Sequence, residues 1–251
     1  MPGLPSSPPK PVTDLWQPDL VRLPELKAAR RGFRWFARGL MKALLALLLR
    51  VELRGLENFP RHGPAVVVIN HLGDADAALL LGLLPVDLEA LGKLELRQFP
   101  VLGKLMDMYG IIWVHRGQPD RRAIRAALDG FAEGRVLVIA PEGRYSLIHG
   151  LEQGTGGAAF LARKADVPIV PVALTGTENP RVYGNMRRLR RTQASLTVGV
   201  PFRLNGPRGS SKDGWRLAED TRRIMETLAA MLPPEYRGVY AEQSERSERQ
   251  E

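Results

Sequence analysis

The feature that most restricts the fold of this 251-residue chain is an alternation. Short aliphatic and β-branched runs recur, with segments of helical pattern between them. Ala65 to Ile69 reads AVVVI, Arg135 to Ala140 reads RVLVIA, and Pro168 to Leu174 reads PIVPVAL. Runs so short and so continuously apolar suit strands buried on both faces. Further strands are expected over 86–91, 111–114 and 195–200. Helices are expected over 23–50, 74–84, 101–108, 119–133, 154–165 and 214–231. Pro119 opens its helix at a position that tolerates proline. This order predicts an α/β fold, a mainly parallel twisted sheet flanked by helices. Pro168 and Pro171 predict that their strand lies at an edge or carries a bulge, because proline cannot donate to a ladder.

The flanks differ from this middle. Pro2, Pro5, Pro8, Pro9, Pro11 and Pro18 crowd the first twenty residues, and Ala241 to Glu251 is Glu, Arg, Gln and Ser. The expected division is a disordered tail over 1–22, a helical segment over 23–50, one α/β domain over 51–232 and a second tail over 233–251. The most apolar stretch, Ala43 to Leu49, ends at Lys42 and Arg50. It falls well short of the about 20 residues a membrane span needs, and its position and flanks do not suit a secretory signal.

Charge narrows the partners without choosing one. With 36 basic and 27 acidic residues the net charge is +9, which favours nucleic acid, anionic lipid or phosphorylated small molecules. Arg30-Arg31-Gly32-Phe33-Arg34-Trp35-Phe36-Ala37-Arg38 mixes arginines with aromatics ahead of an apolar run. An amphipathic helix lying in a membrane interface has this composition. So does a helix packed on its own domain with its arginines in water. Single-stranded nucleic acid is a third partner for such interleaving, but no recognition module accompanies it. The basic run Arg187-Arg188-Leu189-Arg190-Arg191 suits either lipid headgroups or a solvated loop.

One segment carries chemistry. His71 follows the strand at 65–69, Gly73 allows a tight turn, Asp74 can cap the next helix, and Asp76 falls in its first turn. Open α/β sheets place ligands at this end of their strands. A carboxylate on one imidazole nitrogen fixes the tautomer and leaves the other nitrogen as a base. The chain has no cysteine and no Gly-x-Ser-x-Gly elbow. If His71 is a base, the nucleophile then comes from the substrate, for example an alcohol. The absence of cysteine also excludes disulfides and cysteine zinc sites, and agrees with a reducing compartment. His62, His115 and His149 show no partner at ligand spacing and read as ordinary histidines. Trp113 reads as core.

Three later blocks follow His71-x4-Asp76 in order: Gly110-Ile111-Ile112-Trp113-Val114-His115-Arg116, then Val138-Ile139-Ala140-Pro141-Glu142-Gly143-Arg144-Tyr145-Ser146, then Val167-Pro168-Ile169-Val170-Pro171-Val172. Over residues 50 to 205 this set resembles the glycerolipid acyltransferase family of 1-acylglycerol-3-phosphate O-acyltransferases. The resemblance implies that His71, oriented by Asp76, deprotonates a lysophospholipid hydroxyl. The oxygen then attacks acyl-CoA or acyl-carrier protein, with no cofactor and no acyl-enzyme. It implies acceptor-binding roles for Lys93, Arg116, Glu142, Gly143 and Arg144. It also implies a peripheral or monotopic place on the cytoplasmic face of a membrane, with anionic lipid as partner and no nucleic acid. In one place the chain departs from the family. The usual third block is Glu-Gly-Thr-Arg-Ser; here the arginine stands one place earlier and Tyr145 holds its position. That one-place shift can turn the Arg144 side chain away from an acceptor phosphate, brings other lysophospholipids or lipid-like alcohols into view, and motivates the alternative of a non-catalytic lipid-binding or membrane-remodelling protein on the same fold.

Overall fold

The computed structural model describes residues 12, 17–115, 120–204 and 213–241. In chain order its elements are α1 (Ala28–Leu48), β1 (Leu49–Arg54), β2 (Ala65–Ile69), α2 (Ala75–Leu83), β3 (Leu88–Lys93), α3 (Pro100–Tyr109), β4 (Ile112–Val114), α4 (Arg121–Ala132), β5 (Val136–Ile139), α5 (Gly157–Ala165), β6 (Ile169–Thr175), α6 (Asn179–Arg187), β7 (Thr192–Val198) and α7 (Asp213–Met231). The strands form one sheet in the order β1-β7-β6-β2-β5-β3-β4. Five run parallel, while β7 is antiparallel to β6 and carries β1 alongside it. This is the expected architecture. Every residue of β2 is buried, which explains why its sequence is apolar throughout rather than alternating. Helices α4, α5 and α7 cover one face with a core that includes Val66, Leu137, Ala159 and Ile224. On the other face α1 and α2 pack over Val67, Leu79, Val172 and Leu196.

Several expectations need correction. The helix expected over 23–50 ends at Leu48, and Leu49–Arg54 is edge strand β1. No helix was expected between 174 and 195, yet α6 occupies Asn179–Arg187. Strand β6 is central, not an edge. Pro171 is accommodated by a bulge in the neighbouring segment, 198–202. Val172 pairs with Val198 and Ile169 with Phe202, so three steps of β6 face four steps of its neighbour. Parts of the two expected tails are docked. Val21 and Tyr240 are buried. Leu151 N–H donates to Tyr236 O at 2.9 Å, and Val239 N–H donates to Leu151 O at 3.0 Å. The remainder of those tails, 1–11, 13–16 and 242–251, lies outside the described residues.

Helix α1 is amphipathic in an unusual sense. Arg30, Arg34 and Arg38 fall four apart and point into the protein. Arg30 donates to Met108 O and Asp107 O at the end of α3. Arg34 is fully buried, donates to Tyr109 O and Gly110 O, and forms a two-armed ion pair with Glu89 at 2.8 and 2.9 Å. Burial opposes the Arg34 charge, but the Glu89 carboxylate outweighs it and raises the pKa further. Arg38 pairs with Asp87. With the arginines turned inward, Trp35 (79% exposed), Phe36, Leu40 and Leu47 face out. The expectation that α1 packs with its arginines in water is therefore corrected for these three. No helix among the described residues is long and apolar enough to cross a membrane.

Candidate active site

Strand β2 ends at Ile69, at the C-terminal end of the parallel strands. Asn70 then ties the chain to β6: its side chain donates to Leu174 O at 2.8 Å and accepts from Leu174 N–H at 2.7 Å. His71 is held next. Its N–H donates to Glu142 Oε1 at 3.0 Å, and its carbonyl accepts from Ser146 N–H at 2.7 Å. The turn beyond runs so close to the β6–α6 loop that a Cβ on Gly73 would meet Thr177 O at 2.4 Å. Glycine is thus required here by close approach.

The imidazole and Asp76 meet as the sequence suggested. His71 Nδ1 lies 2.8 Å from Asp76 Oδ2, which also accepts from Leu72 N–H at 2.8 Å and Gly73 N–H at 3.1 Å. Two backbone donors fix that oxygen as an acceptor, so Nδ1 carries the proton. Nε2 then presents a lone pair. Asp76 is fully buried, while the His71 side chain is 27% exposed, enough to be reached by a substrate.

Asp74 stands at the start of α2 but does not cap it with its side chain. Its carboxylate instead accepts from Tyr145 Oη at 2.5 Å, Tyr183 Oη at 2.6 Å and Asn179 Nδ2 at 3.0 Å. Burial alone would raise its pKa. The hydrogen bonds from Tyr145, Tyr183 and Asn179 outweigh that and hold the carboxyl below its ordinary value. Burial, then the Asp74 carboxylate, push the Tyr145 phenol well above its ordinary pKa, so it remains a donor. The Tyr145 ring meets His71 edge-on, with centroids 4.3 Å apart and planes at 65°.

The other expected site residues have different settings. Glu142 is wholly buried, and its second oxygen accepts from Glu152 N–H at 2.9 Å. It braces the His71 loop instead of facing an acceptor. Gly143 takes a left-handed conformation (φ 70°) in the turn after β5. Arg144 is turned inward onto Glu152, with Nε at 3.0 Å and Nη2 at 2.6 Å from one oxygen. It is corrected from phosphate ligand to partner of a buried carboxylate. Lys93 ends β3, two strands from β2, roughly 10 Å away at ordinary strand spacing. Arg116 lies outside the described residues. Trp113 is core, with its indole N–H on Asp107.

Sequence reading missed one pairing outright. His115 has an aspartate five residues on, as His71 has: Nδ1 lies 2.9 Å from Asp120 Oδ2. But His115 is buried and its Nε2 accepts from Gln17 N–H at 3.1 Å, so its lone pair is already used. Asn70, Tyr145, Asn179 and Tyr183 were also not assigned roles. For Tyr145 the signal was present, as the residue standing where the family writes arginine.

A profile of the Acyltransferase family matches residues 50–175, half of the chain and all the elements that build this site up to β6. The chain belongs to the Acyltransferase family. Among relatives of this family member, the 1-acyl-sn-glycerol-3-phosphate acyltransferase of Chlamydomonas reinhardtii is 29% identical over 205 residues, covering 80% of this chain and 58% of the relative. The lyso-ornithine lipid O-acyltransferase of Pseudomonas aeruginosa is 34% identical over 147 residues, covering 58% of this chain and 54% of the relative. The 1-acyl-sn-glycerol-3-phosphate acyltransferase of Salmonella typhimurium is 28% identical over 191 residues, covering 74% and 76%. The chain thus spans little more than half the length of the first two. The crystal structure of a 1-acyl-sn-glycerophosphate acyltransferase from Thermotoga maritima superposes with a TM-score of 0.57 at 24% identity over 80% of this chain and 84% of that one, which places the fold.

Proposed function

We propose that this family member transfers a fatty acyl group from an acyl thioester, acyl-CoA or acyl-carrier protein, to the hydroxyl of a lysophospholipid such as 1-acylglycerol-3-phosphate, in phospholipid synthesis at the cytoplasmic face of a membrane. The observation that carries the reading is the His71 ring, held at Nδ1 by a buried carboxylate on a side chain that is 27% exposed, which leaves the Nε2 lone pair as the base. Nε2 takes the hydroxyl proton as the acceptor oxygen forms its bond to the thioester carbon. The carbon–sulfur bond then breaks and the thiolate takes the proton from the imidazolium. An ester and a free thiol result, and no protein nucleophile is needed. Holding hydroxyl and thioester together supplies much of the remaining rate.

The names of the relatives support the acceptor class, since they include acyltransferases for 1-acyl-sn-glycerol-3-phosphate and for a lyso-ornithine lipid. With Arg144 committed to Glu152, the cations proposed for an acceptor phosphate are Lys93 and Arg116. The outward apolar face of α1 supports a membrane-surface location.

The test supplies wild-type protein with acyl-CoA or acyl-carrier protein and a panel of lysophospholipids, and follows free thiol. Thiol release that depends on an acceptor supports the reading and identifies donor and acceptor together. Vesicle binding with no thiol release on any pair would instead favour a lipid-binding protein on this fold.

A further inference from the structure

The family profile ends at residue 175, and the last described segment, 232–241, lies beyond it. That segment nevertheless reaches the site. It returns from α7 and lies against the loop that follows β5. Leu151 in that loop is fully buried and held at both ends of its backbone. Its N–H donates to Tyr236 O at 2.9 Å, and its carbonyl accepts from Val239 N–H at 3.0 Å. The two backbones touch, since a Cβ on Gly150 would meet Gly238 Cα at 2.9 Å. The next residue, Glu152, donates its N–H to Glu142 Oε2, and Glu142 Oε1 takes the N–H of His71. One arm of contacts therefore runs from Tyr236 through Leu151, Glu152 and Glu142 to the base.

The Tyr236 side chain reaches the loop on the other side of His71. Its phenol oxygen accepts from Gly176 N–H at 3.2 Å and donates to Glu178 Oε1 at 2.5 Å. The second Glu178 oxygen is buried with no partner among the described residues, so this carboxylate relies on the phenol. Burial, then the Glu178 carboxylate, raise the phenol pKa, and the hydroxyl keeps its proton. Between these two contacts lies Thr177, fully buried, whose carbonyl faces Gly73 at the distance that excludes a Cβ there. Beyond them Asn179 Oδ1 accepts from Asp74 N–H at 2.8 Å. Gly73 and Asp74 are the turn between His71 and Asp76. The second arm thus runs from the phenol through the β6–α6 loop to that turn.

We propose that Tyr236 is a positioning residue for His71, joining by its backbone and its phenol the two loops that hold the base. The proposal rests on the reading of His71 as the base. The Tyr236 ring already packs against the core that includes Ile224 and Leu228 of α7, which anchors the segment without the hydroxyl. The hydroxyl is spent on the site loop instead. A base aligned only by neighbouring loops keeps its geometry as long as those loops are locked to each other.

The test uses the full chain and separates positioning from stability. Y236F is expected to lower kcat for acceptor-dependent thiol release by about tenfold with KM unchanged. E178A should match it, and Y236F/E178A should lose no more than either alone, because both remove one contact. E178Q, which still accepts from the phenol, should retain most activity. R163M serves as the control for stability alone. It breaks the α5–α7 ion pair with Asp220, at the end of α5 that leads into the start of β6 and away from the site. It is expected to lower the thermal midpoint and leave kcat unchanged. Hydrogen exchange gives a readout that needs no substrate. In Y236F, residues 144–152 and 174–180 should exchange faster, with β2 as protected as in wild type. If the wild type turns over no acceptor while exchange rises in those two loops alone, the clamp stands and the proposed activity falls. Wild-type kcat in Y236F, additive losses in the double variant, or faster exchange spread evenly over the chain would each overturn the proposal.

Discussion

His71 and His115 show what a motif does and does not specify. Both have an aspartate five residues on, and both ring nitrogens Nδ1 meet it at hydrogen-bond distance. They differ in what happens to Nε2. His115 is buried and accepts a backbone N–H there, whereas the His71 side chain is 27% exposed. The spacing was legible in the sequence for His71 because a buried strand preceded it and the later blocks followed. For His115 the same spacing was present and passed over. Neither the burial of His115 nor the contact from Gln17, 98 residues away, can be read from local pattern. Tyr145 fixes the plane of the His71 ring and is itself fixed by Asp74, which makes it a positioning residue. Y145A is expected to lower kcat by about tenfold or more through misplacement of the base. Y145F, which keeps the ring, is expected to retain most activity, with thermal midpoints of both close to wild type. Equal kcat in Y145A and wild type would remove this role. Asp74 gives a pH prediction. Its carboxyl pKa is lower in the fold than its ordinary value of 3.8. Its contribution to stability is therefore complete above that value and fades as pH falls through the depressed one. Urea midpoints at about pH 5 and pH 3 should show a smaller acid loss for D74N than for wild type.

At the scale of elements, the buried strands were legible and the exposed or mixed ones were not. AVVVI and RVLVIA have only one use in a folded chain, a strand covered on both faces. Strand β1 reads Leu-Arg-Val-Glu-Leu-Arg and continues directly from α1, so its apolar start looks like more helix. Helix α6 has a polar, proline-containing sequence with only Val182 buried, so it offers little periodicity. Pro171 pointed correctly to a bulge, but the bulge belongs to the neighbouring segment and leaves β6 in the middle of the sheet. The inward arginines of α1 were the least legible feature, because the Glu89 that receives Arg34 lies 55 residues away. Removing one partner of a buried pair costs about 3–5 kcal/mol. Arg135, 3.4 Å from Glu89, supplies partial compensation. R34M is therefore expected to destabilise by about 3 kcal/mol in urea denaturation. A loss below about 1 kcal/mol would show that α1 is held by its apolar contacts alone.

At the scale of the molecule, the sheet gathers residues from β2, β5 and the β6–α6 loop at one end. The His71–Asp76 pair and the fold were recoverable from the sequence because parallel strands with helical crossovers put successive loops together. The acceptor side was less recoverable. A one-residue shift in the third block sends Arg144 to Glu152 and sets Tyr145 against His71, and only three-dimensional packing reveals that exchange. All of it depends on His71 as the base. The most direct test compares H71A with wild type for acceptor-dependent thiol release from an acyl thioester, with both proteins verified as folded. The account predicts a fall in kcat/KM of at least about 100-fold. Turnover by H71A equal to wild type would contradict it.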